Sequence, residues 1–292
     1  MVLIKGVSAK SVLDSRGEKT IEVSIDTSAG KFSAGSPTGK STGKHEAKPY
    51  RKSLDDDIKK IKEFDDYFSK DSIEKFDDLK IIEDVLDGHV GANTKFAFES
   101  AVLKSLAKEQ KKEIWELVNK NSRKFPRLVG NCVGGGKHSN SEKKPDFQEF
   151  VLVPDMKSVA ENFELSKKNK ILVERYLEDS DEKFNGKKTD EDAWQTSLNE
   201  KEVFEILKKL NIPIGVDIAS SGFYSRKKYL YKNPLLKRNV DEQIDYISNL
   251  IGNFNLYYIE DPFQEDDFES FSELVKKFPN KLIVGDDLTT TN

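Results

Sequence analysis

With a single cysteine, Cys132, this 292-residue chain cannot close an internal disulfide and suits a reducing compartment. Long apolar runs are missing as well. Nothing approaches the roughly 20 residues that span a bilayer. The first residues, MVLIKGVSAK, alternate apolar and polar where a signal peptide would show an apolar core. Neither sign of charge dominates: 48 Lys plus Arg face 52 Asp plus Glu, a formal charge of -4, which gives no reason to expect nucleic acid as a partner. No repeat of fixed period is visible. These absences leave a soluble chain, expected in the cytoplasm, with neither membrane nor nucleic acid among its partners. Its length allows two domains or one large barrel, and 36% apolar residues are enough for a core beneath a surface rich in charge.

Periodicity divides the chain into two regions. Residues 1–34 read as strands, because VLIKGVSAKSVL and TIEVSIDTSAGKF alternate with period two around the turn-like Asp14-Ser15-Arg16-Gly17. Over residues 53–120 the period becomes helical: Phe98, Ala101, Val102, Leu106 and Ala107 share one stripe, and a short helix in KKEIWELVNK is expected to turn Ile114, Trp115 and Val118 inward. This predicts an α+β domain over 1–124. From 125 to 292 strands alternate with helices. PRLVGNCV, FQEFVLVP, IGVDIA, LYYIED and KLIVGDD are the strands, and helices fall at 157–177, 200–210, 240–253 and 267–278. That alternation predicts an α/β domain on a parallel sheet, open or closed into a barrel. The lysine-rich stretches 165–170 and 183–188 read as solvated helix ends and loops.

Three of these strands finish on an acid: Asp217 after IGV, Glu260 after YYI and Asp286 after IVG. The C-terminal ends of parallel strands form one rim, where α/β folds place their chemistry. Each acid alone reads as a helix cap or a partner for lysine. Three at successive strand ends favour a shared cation, and hard oxygen donors without cysteine or histidine favour Mg2+ over zinc. Residues 34–41, AGSPTGKS, imitate a phosphate-binding loop, but Ala34 stands where glycine is needed and Pro49 follows with no apolar helical stripe. A lid over an anionic ligand is the better reading of that loop.

Taken in order, VLDSRGEKTIEV, SPTGKSTGKHEA, LDGHVGANTKFAFESAVLKSLA, GNCVGGGKHSN, DFQEFVLVP, VDIASSGFY, YYIEDPFQEDDF and IVGDDLTTTN resemble successive segments of the enolase family. The resemblance implies an α+β N-terminal domain followed by an incomplete TIM-like α/β barrel of about five strands. It also implies Mg2+-dependent, reversible dehydration of 2-phosphoglycerate to phosphoenolpyruvate. By the same resemblance Asp217, Glu260 and Asp286 would hold one Mg2+, and Ser41 on the lid would approach a second. Glu191 would help expel hydroxide beside Glu149, Gln148 would orient that carboxyl pair, and His138 would contact substrate near its phosphate end. His45 and Glu46 are expected to hold the lid's conformation, and Phe147, Phe150 and Trp194 to pack.

The pattern departs in places. Lys40 stands where the family has a small residue, Thr189 and Asp192 replace glycines around Glu191, and Gly222 replaces a glutamate. The loop between His138 and Glu149 is slightly longer than in the family. The family's lysine base and phosphate-binding groups come later than Asn292, so the expectation is a chain inactive alone. Such a chain would form a homodimer or join another that supplies the remaining strands. The alternative is a non-catalytic paralogue that binds a full-length enolase.

Overall fold

The computed structural model describes residues 1–290 apart from 38, 40, 41, 66 and 71, and the side chains of Ser69 and Lys70 are also undescribed. Residues 1–39 and 47–124 form one compact unit, and residues 40–46 and 125–292 form a second.

The first unit opens with strands β1 (Val2–Leu13), β2 (Lys19–Thr27) and β3 (Gly30–Ser36), followed by helix α1 (Leu54–Glu63), strand β4 (Ser72–Ile73) and helices α2 (Leu79–Leu86), α3 (Ala92–Gln110) and α4 (Ile114–Val118). The strands pair antiparallel in the order β3-β2-β1-β4. At the β1–β2 turn, Asp14 Oδ1 accepts the amides of Arg16 (2.8 Å) and Glu18 (2.9 Å), and Gly17 takes a left-handed φ of 78°. A register shift between Ile4 and Gly6 changes the phase of β1, so the buried residues pass from Val2 and Ile4 to Val7 and Ala9. The stripe expected on α3 is buried, with Phe98, Ala101, Val102 and Leu106 in the core. The expectation for α4 is corrected: Ile114, Trp115 and Val118 are exposed, and Leu117 packs on the core. Lys111 ends α3 in a left-handed conformation (φ 54°), so the chain reverses before α4 and the stripe does not continue.

The second unit contains β5 (Gly130–Gly134), β6 (Glu149–Leu152), α5 (Val159–Ser180), β7 (Trp194–Gln195), α6 (Glu200–Leu207) and β8 (Ile214–Asp217). A small sheet of β9 (Tyr224–Ser225), β10 (Lys228–Lys232) and β11 (Leu235–Arg238) follows, then α7 (Val240–Phe254), β12 (Tyr258–Glu260), α8 (Phe268–Lys277) and β13 (Leu282–Val284). Capping boxes start three of the helices: Ser158 with Glu161, Asn199 with Glu202, and Asn239 with Glu242. The main sheet runs β13-β12-β8-β6-β5-β7, and it is mixed where a parallel one was expected. Strand β6 lies antiparallel to both β5 and β8, while β8, β12 and β13 are parallel. No helix separates β5 from β6, and without such a crossover the chain returns antiparallel. The described strands thus form an incomplete barrel. Phe147, Phe150 and Trp194 are buried in its core, and among the described residues no helix is long and apolar enough to cross a membrane.

Each unit contains a buried acid with a structural part. In the first, Asp57 accepts Gly91 N–H (2.8 Å), the Thr94 hydroxyl (2.7 Å) and Arg51 N–H (3.1 Å). Asp57→Ala orphans a buried amide and a buried hydroxyl, so thermal melts should show a loss of about 3 kcal/mol. In the second, Glu200 is buried and accepts the Tyr246 hydroxyl at 2.6 Å. Burial raises its pKa above the usual carboxylate value, and the Tyr246 bond offsets only part of that rise. The stability it contributes is therefore full below its unfolded pKa and is lost as pH rises through the folded value. Glu200→Gln should raise the melting midpoint at about pH 8 and leave it unchanged near pH 4; a gain of equal size at both would refute this account.

Candidate active site

Register brings acids from three strands to one level. Glu149 on β6 pairs with Asp217 on β8, and Asp217 pairs with Glu260 on β12. Their sequence neighbours Val216 and Ile259 enter the core, so strand alternation turns Asp217 and Glu260 to the other face. Asp286 follows two residues after Val284, which pairs with Glu260. Asp261 sets that position, a residue that sequence reasoning passed over. Held at a left-handed φ of 39°, it accepts Asp286 N–H through Oδ1 (3.1 Å) and Asp287 N–H through Oδ2 (2.8 Å). The tandem acids Glu260-Asp261 before Pro262 were the available signal.

The acids repel one another. Asp217 Oδ1 accepts Ala219 N–H (3.0 Å) and Oδ2 accepts the Gln148 amide (3.2 Å). Burial, then the charges of Glu260, Glu149 and Asp261, still hold its carboxyl well above the usual range. Glu260 is pushed up to about 7, first by burial and then by Asp261, Asp286 and Glu149. Carboxylates so disfavoured, with hard oxygen donors, suit a divalent cation. Among the described residues, however, the acids close enough to grip one ion are a different set: His138, Glu149 and Glu191, whose ligand atoms lie within 4.8 Å of one another.

Local backbone positions this second set. A Cβ on Gly135 would meet the carbonyl oxygens of Phe147 (2.4 Å) and Pro145 (2.6 Å), so only glycine allows the turn that ends at His138. His138 Nδ1 lies 3.0 Å from Glu149 Oε1 and 2.7 Å from Glu191 Oε2. Both carboxylates raise the His138 pKa, outweighing its burial. Glu149 is lowered despite burial, by His138 first and then Glu191, whereas burial and the Glu149 carboxyl push Glu191 up to about 7. The absent glycines around Glu191 have a structural answer. Asp192 itself adopts a φ of 62°, with its carboxylate 2.6 Å from Lys170 Nζ and 2.7 Å from Lys188 Nζ. Thr189 Oγ1 accepts the amides of Glu191 (3.3 Å) and Ala193 (3.2 Å). Gln148, expected to orient the Glu149–Glu191 pair, instead gives its amide to Asp217.

A cleft of about 670 Å³ opens beside Gln148, bordered by Gly43, Lys137, Ser221, Gly222 and Glu265. Lys137 lies against Gly222, its Cε 3.4 Å from where a Cβ would stand, so the space of the missing glutamate is shared with a lysine. The lid residues 42–46 are tied down here. Lys44 N–H donates to Glu265 (2.7 Å), His45 Nε2 lies 2.6 Å from Asp266, and Glu46 accepts Gly43 N–H (2.9 Å). Ser41 lies outside the described residues. The phosphate-loop alternative finds no support, since β3 ends at Ser36 and the next helix, α1, starts only at Leu54.

Comparison with known proteins matches both units. The enolase C-terminal TIM barrel domain family matches residues 123–292, and the enolase N-terminal domain family matches residues 4–118. A relative named enolase from Methanosphaera stadtmanae is 32% identical over 99% of this chain and 75% of its own length. Enolases from Pyrobaculum aerophilum (33% identical; 97% and 73% covered) and Methanocorpusculum labreanum (34%; 100% and 77%) are similar. The chain thus spans about three quarters of these relatives.

The carboxyl pair predicts a titration. Infrared difference spectra between the unaltered chain and Glu191→Gln should show an acid C=O band that disappears as pH rises through about 7. His138→Gln, which removes a positive neighbour, should move the loss of that band to higher pH; a shift downward would overturn this charge assignment.

Proposed function

The chain belongs to the enolase family, and on that footing we propose that it serves the reversible dehydration of 2-phosphoglycerate to phosphoenolpyruvate, a lyase step of glycolysis. The observation that carries this reading is the shared level of Glu149, Asp217 and Glu260, with His138 and Glu191 gathered at Glu149. The chemical difficulty is to strip a proton from carbon next to a carboxylate, a step for which no residue among those assigned here is the base, and then expel hydroxide. Asp217, Glu260 and Asp286 would hold Mg2+, which when bound supplies positive charge against the growing charge on the substrate carboxylate. Glu191, pushed up to about 7, is protonated in part of the molecules at neutral pH and in that form gives its proton to the departing hydroxide, which leaves as water. Glu149 stays ionised and, with His138, fixes the Glu191 carboxyl for that transfer. Gln148 and the Ala219 amide hold Asp217 in place. Ser41 would join substrate binding from the lid. A cytoplasmic location and self-association belong to the same reading.

A second reading is a non-catalytic chain that binds a full-length enolase. It is favoured by Gly222, which stands where the family has a glutamate and has Lys137 lying against it.

Calorimetry separates the two. The catalytic reading expects Mg2+ to bind, phosphoenolpyruvate to bind only with Mg2+ present, ATP not to bind, and Asp217→Asn to weaken Mg2+ at least tenfold, about 1.4 kcal/mol. Failure to bind either Mg2+ or phosphoenolpyruvate, with capture of a full-length enolase, would leave the second reading standing.

A further inference from the structure

The acids at the strand ends need more than convergence. A carboxylate on a long side chain must be held in one orientation before it can serve a cation well. Glu260 has such a support within its own strand. Residues two apart on a strand share a face and stand about 6.6 Å apart along it, and Tyr258 is two residues before Glu260. Its phenol spans that step: the hydroxyl donates to Glu260 Oε2 at 2.6 Å. This is the length of a charge-assisted O–H···O bond, stronger than a neutral one. No shorter polar side chain at 258 would reach.

The neighbouring strand comes close at this level. Tyr258 pairs with Gly215 on β8, one step below the Glu260–Asp217 pair. A Cβ on Gly215 would fall 2.6 Å from both Tyr258 Cβ and Tyr258 O. The glycine at 215 therefore lets β8 and β12 approach closely at this level, and the tyrosine holds the acid at 260. Tyr258 lies on the second unit's central sheet, on a strand paired on both sides, which limits its freedom to move.

We propose that Tyr258 is a positioning residue for Glu260: its hydroxyl holds that carboxylate in the orientation a divalent cation needs at the strand-end acids, with Gly215 letting the two strands approach closely. The inference rests on the reading of Asp217, Glu260 and Asp286 as cation ligands, and it adds a residue that touches neither cation nor substrate.

The test uses the 292-residue chain and Mn2+ alone, followed by electron paramagnetic resonance of the free ion. Tyr258→Phe, which keeps the ring and removes the hydroxyl, should weaken Mn2+ binding about ten- to a hundredfold, with the metal-free melting midpoint unchanged. In a Glu260→Asp background, whose shorter carboxylate is withdrawn from the phenol, the same change should add no further loss. Unchanged Mn2+ affinity in Tyr258→Phe, or an equal loss in both backgrounds, overturns the assignment of Tyr258. Absence of Mn2+ binding by the unaltered chain instead removes the cation reading on which it rests.

Discussion

Two carboxylates on adjacent strands at one level, both withdrawn from water, set the terms for the second unit. The pairing of Asp217 with Glu260 places like charges side by side, an arrangement that disfavours ionisation of both. The surrounding structure answers with donors. Gln148 and the Ala219 amide serve Asp217, and Tyr258 serves Glu260. None of these donors carries a full positive charge. The strain that remains is the property a cation site requires.

On the adjacent strand, Glu149 meets different neighbours. His138 lies between Glu149 and Glu191 and supplies to that pair the positive charge that the strand-end acids lack. His138 lowers Glu149, whereas burial and the Glu149 carboxyl raise Glu191. Acids of the same type thus acquire different proton affinities from their surroundings: those on β8 and β12 face other acids, and those around His138 face an imidazole.

The departures from the family pattern are met locally. Asp192 takes a left-handed backbone that glycine would adopt freely, with two lysines on its carboxylate. Gly222 leaves room that Lys137 shares. Both positions thus have lysines beside them.

Much of this was legible from the chain itself. Period-two and helical stripes located the first unit's strands and α3, capping boxes marked helix starts, and acids ending YYIE and IGVD announced the rim, because these signals depend only on residues close in sequence. The family motifs also named His138, Glu149 and Glu191 before their meeting could be seen. Tertiary structure alone decided what depends on residues far apart. It set the antiparallel course of β6, the reversal that exposes Trp115, and the gift of the Gln148 amide to Asp217. It also decided the fit of Tyr258 against Gly215. Strand direction, register and the field of neighbouring charges arise only when distant segments pack, and no local pattern encodes them.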